Sequence, residues 1–122
     1  YLEDWTGQYR APAMAVVRAA STQQVADVVK LCEAHGIAVV PQGGRTGLCG
    51  GGVPLVNQPS VVISLIRINA LRALDRAGRT VTVEAGMVLE ALHAAALEHS
   101  LIFPLMFGAK GSCTVGGNPS TN

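Results

Sequence analysis

Short apolar runs and one clear helical stripe organise the first forty residues. Ala15–Arg18 is a brief apolar run that predicts a strand. Ser21 then opens a helix: with Gln24 it has capping-box spacing, in which each side chain satisfies an orphan amide. Val25, Val28, Val29 and Cys32 recur at helical period and predict one apolar stripe. Gly36 falls where a left-handed C-terminal cap is wanted. Ile37–Val40 is rich in β-branched residues and predicts a buried strand ending at Pro41. Strand, helix and strand make a βαβ unit with a right-handed crossover. After a glycine-rich stretch, Pro59-Ser60 leads into a strand at Val61–Leu65. Arg72–Asp75 and Thr80–Glu84 predict two more strands around a turn at Ala77-Gly78, with Val81 and Val83 facing inward. Met87–Glu98 predicts a second helix, with Leu89, Leu92, His93 and Ala96 on one side. Ile102–Leu105 is apolar and extended, and Gly108–Asn122 is a second glycine-rich segment. Tyr1–Pro12, polar and aromatic, predicts an arm lying over the surface.

Composition narrows what such a chain can do. Its 122 residues leave room for one domain. Charged residues are 14% of the chain, against roughly 25% in an ordinary soluble domain. Either further polypeptide covers part of the surface, or an Ala- and Gly-rich composition accounts for the deficit. The net charge of +1 gives no electrostatic case for nucleic acid, and the chain is too poor in aromatics to stack bases. The three cysteines are widely spaced, with no C-x-x-C, which argues against a disulfide framework or a zinc site. A reducing, cytoplasmic setting fits. No apolar run approaches the ~20 residues of a membrane span. The sequence opens at Tyr1 without an initiator Met and stops at Asn122, which predicts a segment of a longer protein.

Six of the 14 glycines fall within the eleven positions Gln42–Gly52. Such backbone bares its N–H groups and can form a concave nest for phosphate oxygens. Arg45 and Thr46 would add a charge and a hydroxyl. Two common phosphate fingerprints fail. For G-x-G-x-x-G, Gly50 and Gly52 fit but Leu55 holds the third position; for the P-loop, Gly47 and Gly52 fit but Val53-Pro54 follow. The loop is therefore a phosphate loop between strands or a long flexible connection. The second segment has small residues, hydroxyls and one nearby cation, Lys110. It suits close approach to a flat ring, though a tight hairpin would explain Gly116-Gly117 equally well.

Together the two segments carry a resemblance. Pro41-Gln42-Gly43-Gly44-Arg45-Thr46-Gly47-Leu48 followed by Gly50-Gly51 resembles the pyrophosphate loop of the FAD-linked oxidases of the vanillyl-alcohol-oxidase (PCMH) type. Phe103-Pro104-Leu105, Gly108–Cys113, Gly116-Gly117-Asn118 and Ser120-Thr121-Asn122 resemble that family's flavin-contacting segment. The similarity is closest to the branch of D-2-hydroxyacid dehydrogenases, which takes in D-lactate dehydrogenase, the glycolate oxidase FAD subunit and D-2-hydroxyglutarate dehydrogenase. Tyr1–Trp5 also resembles the start of that branch's domain.

The resemblance implies an α+β fold: the first subdomain of a PCMH-type FAD-binding domain (residues 1–105), a small mixed sheet with a βαβ unit and two helices, plus the opening of a second subdomain (106–122). It implies that backbone amides from Gly43 to Leu48 hold the pyrophosphate. Pro104 and the run Gly111 to Asn118 (Gly111, Ser112, Val115, Gly116, Gly117 and Asn118 foremost) would line the ribityl chain and ring, with Thr121 and Asn122 in the same lining. The implied reaction oxidises a D-2-hydroxyacid to a 2-oxoacid by hydride transfer to flavin. Electrons would then pass to a quinone, a cytochrome or a carrier flavoprotein. Arg45 stands where relatives with covalent flavin have histidine, so FAD is expected to be non-covalent. Substrate-binding groups and the catalytic base would lie beyond Asn122, and no catalytic residue is expected here. Another alcohol or sugar-lactone oxidase of the superfamily, and a non-catalytic nucleotide- or protein-binding module, are the alternatives.

The remaining polar residues point to structure more than chemistry. His35 suits a helix end, His93 the edge of a core, and His99 a solvated turn. No two histidines have metal-ligand spacing. Cys49 and Cys113 are either small fillers or, less simply, flavin attachment points or redox thiols. Glu84 would pin a loop. Ser112 and Ser120 lack the partners a nucleophile needs. Gly47→Val is expected to weaken FAD binding by blocking both a dihedral and a close approach.

Overall fold

The computed structural model describes residues 1–121; Asn122 and the side chain of Thr121 lie outside the described residues. Strand β1 (Ala15–Arg18) leads into α1 (Thr22–Ala34), then β2 (Ala38–Gln42) and β3 (Ser60–Ser64). Strands β4 (Leu71–Asp75) and β5 (Thr80–Val83) precede α2 (Leu89–Glu98) and a final turn of helix, α3 (Asn118–Thr121).

Both ends of α1 follow from its sequence. Ser21 is the N-cap and its hydroxyl accepts from the Gln24 amide at 3.2 Å. The reciprocal half of the box is displaced by one residue, because the Gln24 carboxamide accepts from Ala20 N–H at 2.8 Å. Gly36 takes φ +65°, and its N–H and that of Ile37 donate to Glu33 and Cys32 carbonyls at 3.2 and 2.8 Å. That pair of bonds is the Schellman motif. Cys32 is buried and Val25 and Val28 pack beside it, but Val29, expected in the same stripe, is 41% exposed.

The parallel and antiparallel pairings of the expected mixed sheet are divided between two sheets. One has three parallel strands in the order β1-β3-β2, and the other is the β4–β5 hairpin. The strand–helix–strand unit is present, yet β1 and β2 do not pair: β3 lies between them, with Val62 opposite both Val16 and Val40. Hydrophobicity sets this order, since all five β3 residues are buried and a central parallel strand needs cover on both faces. β2 runs through Pro41 instead of stopping before it. It is an edge strand, so the missing proline N–H removes no ladder bond on its open side.

Two cores result. Val61 and Ile63 face α1 with Ala19, Cys32 and Ile68. The second core joins Leu89 and Leu92 of α2 to Met87 and Cys113, with Val81, Val83, Phe103, Leu105 and Val115 around them. The opposite face of the parallel sheet carries Gln42, Ser60 and Ser64, all buried.

Candidate functional site

The first glycine loop leaves the sheet at the carboxyl end of β2, the edge at which parallel sheets receive ligands. From Gly43 to Cys49, no backbone N–H donates to a protein group among the described residues. Arg45 sits in the left-handed region at φ 57°. A left-handed residue within a run of unpaired amides turns successive N–H groups toward one side, as an anion nest requires.

The second segment folds against that loop. A Cβ on Gly43 would collide with the Thr114 hydroxyl, and one on Gly44 would collide with the Ser112 carbonyl. Glycine is therefore demanded at both positions by the crossing of the two segments. Gly47 and Gly51 differ: a Cβ there would meet nothing within 4 Å. Their surroundings leave room for a bound group, so the loop fits a pyrophosphate on both counts, bare amides and open approach.

Close hydrogen bonding holds the second segment. The α2 N-cap, Val88, has no capping side chain. Its first amides are satisfied instead by this segment, with Leu89 N–H donating to the Cys113 carbonyl at 3.1 Å and Glu90 N–H to the Lys110 carbonyl at 3.0 Å. Val115 and Gly116 N–H donate to the Met87 and Ala85 carbonyls, both at 2.8 Å. Glu84 anchors the turn that offers those carbonyls: its carboxylate accepts from Ala70 N–H at 2.6 Å and from Arg72. The Ala70 amide first, and the Arg72 guanidinium after it, hold the Glu84 carboxyl below its usual range.

The expected site residues separate into groups. Gly43 and Gly44 meet Ser112 and Thr114 directly. Gln42 is buried beneath the loop, whereas Pro41, Arg45, Gly47, Leu48 and Gly51 are exposed, with Thr46 half-buried. Gly50 lies against the Tyr9 ring. Gly116 packs on Ala85, Gly117 lies near Thr114, and Gly111 lies near Glu90. Val115 joins the second core. Pro104 is exposed between Phe103 and Leu105, which turn into that core. Asn118 and Thr121 begin and end α3; the expected contacts of the Thr121 side chain and of Asn122 fall outside the described residues. Thr114 falls within the lining expected from Gly111 to Asn118, whereas Tyr9 and Tyr1 were not anticipated. The tyrosines act from residues too distant in sequence for any local pattern to show.

Other expectations resolve simply. His35 is the C-cap of α1. His99 is not merely solvated: it caps α2, and its Nδ1 lies 3.0 Å from the Ala95 carbonyl. His93 is half-buried beside Phe103, with ring centroids 6.2 Å apart. Cys49 is exposed, while Cys32 and Cys113 are buried, and burial pushes the Cys113 thiol up. Among the described residues no cluster of three His, Cys, Asp or Glu could hold a metal, and no helix is long and apolar enough to cross a membrane.

Comparison with known proteins gives one consistent result. The family described as FAD binding domain matches residues 13–122. Over 122 residues the chain is 44% identical to D-2-hydroxyglutarate dehydrogenase of Xanthomonas citri pv. viticola, covering 100% of this chain and 25% of the relative. It is 38% identical over 119 residues to the mitochondrial D-2-hydroxyglutarate dehydrogenase of Arabidopsis thaliana, covering 98% of this chain and 21% of that one. The solved structure of alkyldihydroxyacetonephosphate synthase superposes with a TM-score of 0.77 at 22% identity, over 84% of this chain and 20% of the other. That likeness shows the fold. The chain spans 25% or less of the length of these relatives.

Proposed function

The chain belongs to the FAD-binding-domain family, and on that premise we propose that it forms the cofactor-holding part of a flavoprotein that oxidises a D-2-hydroxyacid to a 2-oxoacid. One observation carries the reading: Gly43 and Gly44 meet Ser112 and Thr114, which joins a bare-amide loop to a rigid small-residue wall. In this reading the amides from Gly43 to Leu48 hold the pyrophosphate, and Gly111 to Asn118 stand beside the ribityl chain and ring, with Thr114 between them. Bound FAD would supply the hydride acceptor. This chain's residues bind and orient; substrate contacts and the base belong to the rest of the protein. The cofactor is proposed to be non-covalent: Arg45 offers no attachment atom, Cys113 is held inward by the second core, and Cys49, though exposed, lies on the loop assigned to the pyrophosphate and not to the flavin ring. The 2-hydroxyacid substrate rests on the names of the relatives. A quinone, a cytochrome or a carrier flavoprotein is the proposed electron acceptor. The cytoplasm is the proposed compartment, set against the mitochondrial name of the plant relative. The proposed boundary between the subdomains is residue 105, with Ala109, Cys113 and Val115 of the second packing back on the core that α2 helps to build.

The test uses the intact protein. Its visible spectrum should be that of flavin, and acid precipitation should release all of the colour. Anaerobic addition of D-2-hydroxyacids should then bleach the band. A colourless, folded protein that cannot be reconstituted with FAD would refute the assignment.

A further inference from the structure

A loop with six glycines, in which no N–H from Gly43 to Cys49 finds a protein acceptor among the described residues, has little of its own to hold it. Ordering such backbone costs roughly 1–2 kcal/mol per residue. Beyond the crossing at Gly43 and Gly44, what holds this one is the N-terminal arm. The Gln42 carboxamide donates from Nε2 to the Gly52 carbonyl at 2.7 Å and to the Tyr1 carbonyl at 3.0 Å. One side chain thus ties both ends of the loop to each other and to the arm. The Arg45 guanidinium lies 5.6 Å over the Tyr1 ring, within cation–π range. At the far end, the Tyr9 ring fills the space beside Gly50: a Cβ there would stand 2.6–2.9 Å from three ring atoms.

The arm is itself closed. Asp4 N–H donates to the Tyr9 carbonyl at 3.1 Å and Ala11 N–H to the Leu2 carbonyl at 3.2 Å. The Asp4 carboxylate accepts from the Thr6 hydroxyl at 2.6 Å and from Tyr9 N–H at 3.1 Å. Tyr1 and Tyr9 are therefore carried on one hydrogen-bonded turn, and each grips a different point of the loop. Both rings remain partly exposed, at 38% and 46%, so neither serves as a core residue.

We propose that Tyr1–Arg10 is a strap that pre-orders the pyrophosphate loop, with Tyr9 and Tyr1 as positioning residues for FAD. The proposal rests on the FAD reading of the loop. Its physical content is preorganisation: the strap removes part of the ordering cost that cofactor binding would otherwise meet.

The bond from the exposed Arg45 to Thr46 gives a readout independent of cofactor, because the rate of tryptic cleavage rises with the population of the opened loop. In the apo form of the intact protein, Tyr9→Ala should be cut at Arg45 several-fold faster than wild type. Its FAD dissociation constant should rise about tenfold through lost preorganisation, with the thermal midpoint unchanged. Tyr9→Phe keeps the ring and should match wild type in both measurements. Tyr1→Leu removes only the partner of the Arg45 guanidinium at an exposed site and should show a smaller acceleration of the same cut; it serves as the test should Tyr9→Ala not fold. Wild-type cleavage rates in Tyr9→Ala, or in Tyr1→Leu where it stands in, would overturn the strap. So would a fall in the thermal midpoint of Tyr9→Ala, restored by Tyr9→Phe, with FAD affinity and the rate of the Arg45 cut unchanged, since that marks a purely structural ring. Failure of wild type to bind FAD would instead overturn the cofactor reading, and the cleavage comparison would still decide the strap.

Discussion

The two glycine-rich segments look alike in composition and differ in how their backbones are employed. In the first, the amides from Gly43 to Cys49 have no acceptor among the described residues, and order comes from the arm and from Gln42. In the second, Ser112, Cys113, Val115, Gly116 and Gly117 all donate their amides to carbonyls within the chain, and Cys113 and Val115 are packed into a core. A segment with free amides can bind an anion; one whose amides are engaged can offer shape, side chains and carbonyl acceptors but no nest for an anion. Glycine content alone does not distinguish the two functions, whereas the fate of each N–H does.

The sharpest way to break this contrast is to force the segments apart. In Gly44→Val the new carbon would meet Ser112 backbone, which no rotamer change relieves. Overpacking of this kind costs about 1–3 kcal/mol or more. The thermal midpoint should fall, and the intact protein should purify without flavin. Gly47→Val isolates the other property. Gly47 does not take a positive φ and has open space around it, so the expected dihedral penalty is absent and only the blocked approach remains. Stability should change by less than about 1 kcal/mol, while FAD affinity should drop by at least about tenfold, measured by fluorescence titration of the apo protein. Equal losses of stability in both variants would erase the distinction between packing glycines and approach glycines.

What the sequence made legible was local. The ends of α1 were readable because Ser21, Gln24 and Gly36 act on neighbours within a turn. The hairpin was readable from alternation around Ala77-Gly78. Sheet order was not, because nothing near β3 says that the chain crosses from β2 by a loop and enters between two earlier strands. For the same reason the glycine loops could be singled out but their meeting could not: Gly44 and Ser112 are neighbours only through the closure of both cores. Tyr9 shows this most clearly, since its partner Gly50 was legible as a loop glycine while the ring that demands it was not.

The fixed character of the second segment can be tested through its anchor. Glu84 holds the turn that receives the Val115 and Gly116 amides. Its folded pKa lies below the ordinary carboxylate value, so the stability it supplies is present above that value and is lost as pH falls through the lowered one. Glu84→Gln should therefore melt below wild type at neutral pH. The gap should close as pH drops beneath the usual carboxylate range, where wild type also loses the charge. A gap that stays constant with pH would mean that side-chain shape, not charge, anchors the turn.

The smallest expected effect compares the two loop cysteines. Cys49 is exposed on the first loop, while Cys113 is 3% exposed in the second core with its thiol pushed up by burial. Thiolate is the reacting form, so burial and the raised thiol both disfavour Cys113, while exposure favours Cys49. Brief iodoacetamide treatment of the folded apo protein should label Cys49 and leave Cys113 and Cys32 unmodified, as mass spectrometry of the peptides would show. FAD should slow the labelling of Cys49 by closing the loop around the pyrophosphate, and it should leave Cys113 as it was. Early labelling of Cys113 would show that the second segment opens as readily as the first, and the contrast between a bare loop and a bonded wall would fail at the point where it is easiest to measure.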